Sequence, residues 1–143
     1  MALNELQVGE FLAALGERTP APASGAATAL TAALAAALVE LAARFAHDEH
    51  TVVRAKTLWS RLSELADEDS EAYTAFMAER TASARARIVE VPEEIAACAD
   101  EVAALADHVR AQLTSSVVGD AEAAGELARA ASRIARRLAE LNA

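Results

Sequence analysis

The sequence predicts a single all-α domain, residues 1–143, built as a bundle of about five helices around a long, buried, Ala-rich central helix. Three observations carry this prediction. Alanine supplies 40 of the 143 residues, while the chain holds only 5 Gly, 3 Pro and 3% aromatics, so the residues that favour sheets are scarce and strong helix formers abound. Apolar residues recur at steps of three and four over long segments, and no strand-like alternation of useful length appears. Finally, 54% hydrophobic against 24% charged residues excludes disorder, and the length suits one hydrophobic core but not two.

The elements follow in order. Asn4 is placed to cap a first helix with apolar positions Leu6, Phe11, Leu12 and Leu15, and Gly16 to end it. Thr19-Pro20-Ala21-Pro22 forces extended backbone, because each proline disfavours the helical conformation in the residue before it. A second helix then runs to about Ala46 with Ser24 as its N-cap and almost no polar residue for four turns, the pattern of a helix surrounded by others. Thr51 is the expected cap of a third helix reaching about Arg80, with the stripe Leu58, Leu62, Leu65, Ala72 and Phe76. The position that should continue this stripe is Asp69, so a carboxylate falls on the core-facing side.

A fourth stripe, Ile88, Val91, Ile95, Cys98, Val102, Leu105 and Val109, contains Pro92, and a break or kink is expected near Val91. Thr114 to Gly119 reads as a loop, after which Asp120 caps a last helix with the stripe Ala124, Leu127, Ala131, Ile134, Leu138 and Leu141. Four arginines, Arg129, Arg133, Arg136 and Arg137, lie toward the end where the helix dipole favours cations.

Charge and cysteine usage narrow the partners. A net charge of −9, with Lys56 the only lysine, disfavours nucleic acid, whose non-specific binding needs a basic surface. Cys98 stands alone, which excludes an intrachain disulfide and a Cys-based zinc site and fits a cytoplasmic setting. No membrane association is expected: the N-terminus lacks the pattern of a secretory signal, and the apolar run Ala26–Val39 is too short to cross a bilayer before Glu40 and Arg44 interrupt it. His47 and His50 lie at i, i+3 beside Asp48 and Glu49, but the only other histidine, His108, is far along the chain. The segment therefore reads as a solvated loop, and no metal is expected.

Several separated segments together resemble the cyclodeaminase/cyclohydrolase family of folate enzymes. Phe11-Leu12-Ala13-Ala14-Leu15 followed by Thr19-Pro20-Ala21-Pro22 is similar to that family's opening helix and Thr-Pro-x-Pro turn. Asp69-Ser70-Glu71-Ala72-Tyr73 resembles its Asp-x-x-Ala-aromatic motif, Val91-Pro92-Glu93-Glu94 its Val-Pro segment, and Gly119-Asp120 the Ser-Asp that opens its last helix. Where the family usually carries three glycines and a serine, this chain reads Ala23-Ser24-Gly25-Ala26, and it is shorter than typical members between Phe76 and Ile88.

The resemblance implies a homodimer that acts on a tetrahydrofolate derivative, without a further cofactor, by ring closure with loss of ammonia or by addition of water to a methenyl group. It places Asp69 in general acid/base duty and makes Thr19, Pro20, Pro22, Ser24, Gly25, Tyr73 and Asp120 the expected ligand-binding residues. Each residue also has a plainer reading. Asp69 could be turned outward or paired with an arginine such as Arg133, Tyr73 could be core with a wet hydroxyl, and the Pro/Gly turn could be a simple connection. The C-terminal arginines fit either a clamp for a folate's glutamate tail or a solvated, ion-paired face. A divergent member that has lost catalysis and serves as a ligand-binding or dimeric scaffold is the alternative to an enzyme.

Overall fold

A computed structural model describes residues 2–114 and 116–143. A 3-10 turn, Leu3–Glu5, precedes five α-helices: α1 (Val8–Gly16), α2 (Ser24–Phe45), α3 (Glu49–Ala78), α4 (Ala82–Arg110) and α5 (Val118–Asn142). Among the described residues there is no strand, and the all-α bundle is as the sequence predicts.

Helix α2 is the central element and packs against α3, α4 and α5. Its buried positions are almost all small: Ala26, Ala29, Ala32, Ala35, Ala36, Ala42 and Ala43, with Thr28 and Val39 the larger side chains. Small residues let neighbouring axes approach closely, and the bulk of the core then comes from the surrounding helices through Leu62 and Leu65 of α3 and Val91, Ile95, Val102 and Val109 of α4. Ser24–Phe45 as a whole is long and apolar enough to cross a bilayer, so the length argument against a span is weaker than expected. What the structure shows instead is that more than half of its most apolar stretch is buried within the bundle.

The ends of α2 and α3 are set by side chains other than those expected. Ala23 precedes α2 without a side-chain cap, and Ser24 is the first helical residue, not the N-cap. At the other end His47 takes a left-handed conformation with φ 56°, while Asp48 N donates to Ala43 O at 3.0 Å and His47 N to Arg44 O at 3.2 Å. This is the Schellman arrangement, and it reverses the chain in two residues. Asp48 rather than Thr51 caps α3. It accepts from the Thr51 amide at 3.1 Å and the Thr51 hydroxyl at 2.7 Å, and these bonds hold its carboxyl down at about 2.

Two expectations for α4 and α5 are overturned. Of the break or kink expected near Val91, the break is overturned: helix α4 runs continuously through Pro92 from its cap Thr81, whose hydroxyl accepts from Ala84 N at 3.1 Å, so Pro92 neither ends a helix nor starts one. Val91, Pro92 and Ile95 are all buried, and the packing they make outweighs the hydrogen bond that proline removes. Helix α5 begins at Val118, so Asp120 lies in its first turn and is not the cap; Ser115, within the expected loop, lies outside the described residues. Its core face is Ala121, Ala124, Ala128, Ala131 and Ala135, and the helix is rotated so that Leu127, Ile134 and Leu141 of the expected stripe are exposed. Close packing on α2 and α4 selects the small residues.

The first helix also differs from expectation. Asn4 belongs to the 3-10 turn, α1 starts after Gln7, whose amide donates to Glu10 Oε1 at 2.8 Å, and no residue of α1 is buried. Outside the core, Arg61 of α3 holds Glu68 and Glu94, each at 2.6 Å, and Arg87 of α4 holds the other Glu68 oxygen at 2.6 Å. These partly exposed pairs add little stability singly but tie α3 to α4 in register.

Candidate functional site

A cavity of about 260 Å³ lies where four helices converge. Pro20, Ala21 and Ala23 of the turn before α2, with Ser24 and Gly25 of its first turn, form one wall. Asp69 and Tyr73 of α3 and Ile88 of α4 form the second, and Leu138 and Asn142 from the end of α5 close the third.

The sequence forces this arrangement locally. The Pro20–Pro22 segment cannot extend α2 backward, and with no side chain capping the helix, its first amide groups are left for whatever occupies the cavity. These amides carry the positive end of the helix dipole, which suits a carbonyl or an anion.

Asp69 sits directly over Gly25. A Cβ built on Gly25 would overlap the Asp69 carboxyl carbon and both its oxygens, so the close approach of α3 to the start of α2 requires glycine at that one position. Among the described residues nothing donates a hydrogen bond to this carboxylate and no arginine pairs with it; Arg133 is exposed. Burial without compensation pushes the carboxyl up from 3.8 to about 6. A carboxyl of that kind exchanges its proton near neutral pH, the property a general acid or base needs. One turn on, Tyr73 shares its face and borders the cavity.

Of the residues singled out in the sequence, Pro20, Ser24, Gly25, Asp69 and Tyr73 meet around this one cavity. Thr19 is exposed, and Pro22 is half-buried behind the lining. Asp120 is set apart: it lies in the first turn of α5, five turns before Leu138, a separation of about 27 Å at 1.5 Å per residue. Within one chain it does not reach the cavity. Ile88, Leu138 and Asn142 escape sequence reasoning, since nothing local marks an asparagine in a last helical turn as facing a site.

The remaining candidates find structural partners. Arg129 pairs with Glu126 at 2.9 Å, Arg137 with Glu140 at 3.3 Å and Arg136 with Asp100, an ion-paired face and not a lining of the cavity. His108 Nε2 lies 3.2 Å from Asp48 Oδ2, and among the described residues no group of three or more His, Cys, Asp or Glu is arranged to hold a metal. Burial, reinforced by the nearby Glu94 charge, pushes the Cys98 thiol up, away from reactivity. A larger groove of about 570 Å³ under α1, bordered by Phe11, Leu12, Leu15, Leu30 and Trp59, is apolar and lacks convergent ionisable groups.

Comparison with known proteins bears on the fold and the family. The solved structure of formiminotetrahydrofolate cyclodeaminase from Thermotoga maritima has the same fold, with a TM-score of 0.93 at 22% identity over 98% of this chain and 79% of that one. No curated protein matches the chain. The family model described as formiminotransferase-cyclodeaminase matches residues 7–143, all but the first six positions. The chain therefore belongs to the formiminotransferase-cyclodeaminase family.

Proposed function

We propose that the protein is a tetrahydrofolate one-carbon enzyme, either a formiminotetrahydrofolate cyclodeaminase or a methenyltetrahydrofolate cyclohydrolase. The observation that carries this reading is the Asp69 carboxyl, half-buried, without a hydrogen-bonding or ionic partner among the described residues and raised to about 6, seated against Gly25 at the uncapped start of α2. Family membership supplies the substrate class.

Both reactions turn on proton transfer at one carbon between two nitrogens. In the first, the second nitrogen attacks the formimino carbon and ammonia departs; Asp69 gives a proton to the leaving nitrogen and takes one from the attacking nitrogen. In the second, water adds to the methenyl carbon, a carbon–nitrogen bond opens to a formyl group, and Asp69 removes the proton from water and returns one to the freed nitrogen. A carboxyl with its proton balanced near neutral pH serves either direction. The amides at the start of α2 are placed to hold a carbonyl or carboxylate of the ligand.

We further propose a homodimer in the cytoplasm. Val8 and Leu12 of α1 and Leu34, Leu41 and Phe45 of α2 leave large apolar surfaces exposed, which a second copy would cover. A noncatalytic reading rests on a different observation: Ala23 and Ser24 put side chains on the cavity wall where a run of glycines would leave bare backbone.

Turnover separates the two. Ammonia release from 5-formiminotetrahydrofolate, or loss of the methenyl chromophore of 5,10-methenyltetrahydrofolate, is expected for the native protein. In Asp69→Asn the rate should fall about 10²–10⁴-fold, the usual worth of a general acid or base. Binding of folate with neither conversion would establish the noncatalytic reading.

A further inference from the structure

Pro92 has no amide hydrogen, so the carbonyl four residues earlier in α4, Ile88 O, loses its regular helical donor. That carbonyl is not left bare. Asn142 Nδ2, from the last turn of α5, donates to it at 2.9 Å across 54 positions of sequence. A carbonyl oxygen only accepts, so the partner fixes which end of the amide faces it. Asn142 Oδ1 is then left as an acceptor with no partner among the described residues, on a side chain that borders the same cavity as Asp69 and Gly25.

We propose that Pro92 frees the Ile88 carbonyl to lock the Asn142 amide, and that Asn142 Oδ1 is the acceptor by which the cavity recognises an N–H group of its ligand. The role complements that of Asp69. A carboxyl poised to gain or lose a proton cannot hold a donor reliably, whereas an amide oxygen accepts at every pH. The ligand class is a heterocycle or amidine bearing N–H donors, which a reduced pterin and a formimino group both are; this part rests on the folate reading above. Asn142 is a ligand-binding residue and Pro92 a positioning residue that acts through it. The arrangement also gives a buried proline inside a long helix a function, where its usual effect is only a loss of stability.

The test is a double-mutant cycle read by calorimetric titration with 5-formyltetrahydrofolate. Asn142→Ala should weaken binding about five- to tenfold, the range of one hydrogen bond. Pro92→Ala restores an amide at position 92, which takes back the Ile88 carbonyl. It should weaken binding by a similar factor in the native background and not at all in the Asn142→Ala background. Alanine's gain as a helix former is set against the loss of a fully buried ring, so stability does not separate the two roles; a merely structural role would leave the Pro92→Ala effect on affinity in place when Asn142 is gone.

Native affinity in Asn142→Ala, or a Pro92→Ala effect that persists when Asn142 is gone, overturns the proposal and leaves the folate reading standing. If the native protein binds no 5-formyltetrahydrofolate, the folate reading falls, and the recognition role of Asn142 with it. The lock is then judged by exchange of the Asn142 side-chain amide protons. Protection in the native protein that disappears in Pro92→Ala supports it, and equal exchange in both refutes it.

Discussion

Asp69→Asn is expected to stabilise the protein at neutral pH while removing its turnover. The folded carboxyl, at about 6, lies above its ordinary value of 3.8, so between these two values the folded chain holds a proton that the unfolded chain has released. Stability contributed by this group therefore falls as pH rises through that window and stays at its lowest above it. The difference corresponds to roughly 2–3 kcal/mol at pH 7 and above. Asparagine keeps the shape and never ionises. The variant should match the native protein near pH 3.5 and exceed it at pH 7.5, with a midpoint higher by roughly 5–10 °C for a chain of this size.

The comparison must be made variant against native, because Asp48, Glu40, Glu94 and Glu101 are held down by hydrogen bonds and arginines and give stability of the opposite slope. Their contribution is present above their ordinary values, is lost as pH falls, and cancels in the difference. Thermal unfolding of both proteins from pH 3.5 to 8 measures it. Parallel curves would mean that Asp69 is hydrated and ordinary, and the acid/base assignment would lose its physical basis.

Gly25→Ala is expected to have the second large effect. Its Cβ would occupy the space of the Asp69 carboxyl, and either the carboxyl swings into the cavity or α2 and α3 move apart. The usual cost of such overpacking is about 1–3 kcal/mol, set against the small gain of alanine over glycine in a helix. Turnover should be lost in both cases, since the carboxyl no longer sits at the start of α2. Removing the obstructing atoms by Asp69→Ala relieves the conflict. The double variant should thus be more stable than the sum of the single changes requires, by an amount that denaturant unfolding resolves. Strict additivity would show that the two residues do not share this contact.

The helices and their order are legible in the sequence because their signals are local. Alanine content, stripes at steps of three and four, and the Pro20–Pro22 turn each act within a few residues. Asp69 is visible as a polar interruption of an apolar stripe, and the motif around it resembles one of the cyclodeaminase/cyclohydrolase family. What is hidden depends on contacts between distant segments. That Gly25 must lack a side chain follows only when α3 lies across α2 at that point. Asn142 gains a role only because Pro92, on another helix, leaves a carbonyl free.

The misread elements have the same cause. Large residues on α5 look like a core stripe, yet the close approach of α2 and α4 selects its alanines and turns Leu127, Ile134 and Leu141 outward. Pro92 suggests a break in its helix, yet the burial of Val91 and Ile95 on either side of it outweighs one missing hydrogen bond. Asp120 looks like part of the site because it opens the last helix, and only the length of that helix shows that its other end reaches the cavity.

Whether the cavity between α2 and Asp69 holds a folate is decided most directly by thermal unfolding of the native protein and of Gly25→Ala, each with and without 5-formyltetrahydrofolate. At a hundred times its dissociation constant the ligand should stabilise the native protein by about 2.7 kcal/mol, a shift of several degrees, and leave Gly25→Ala unmoved. An unmoved native midpoint at saturating ligand, or an equal shift in both proteins, would contradict a folate site built on Gly25 and Asp69.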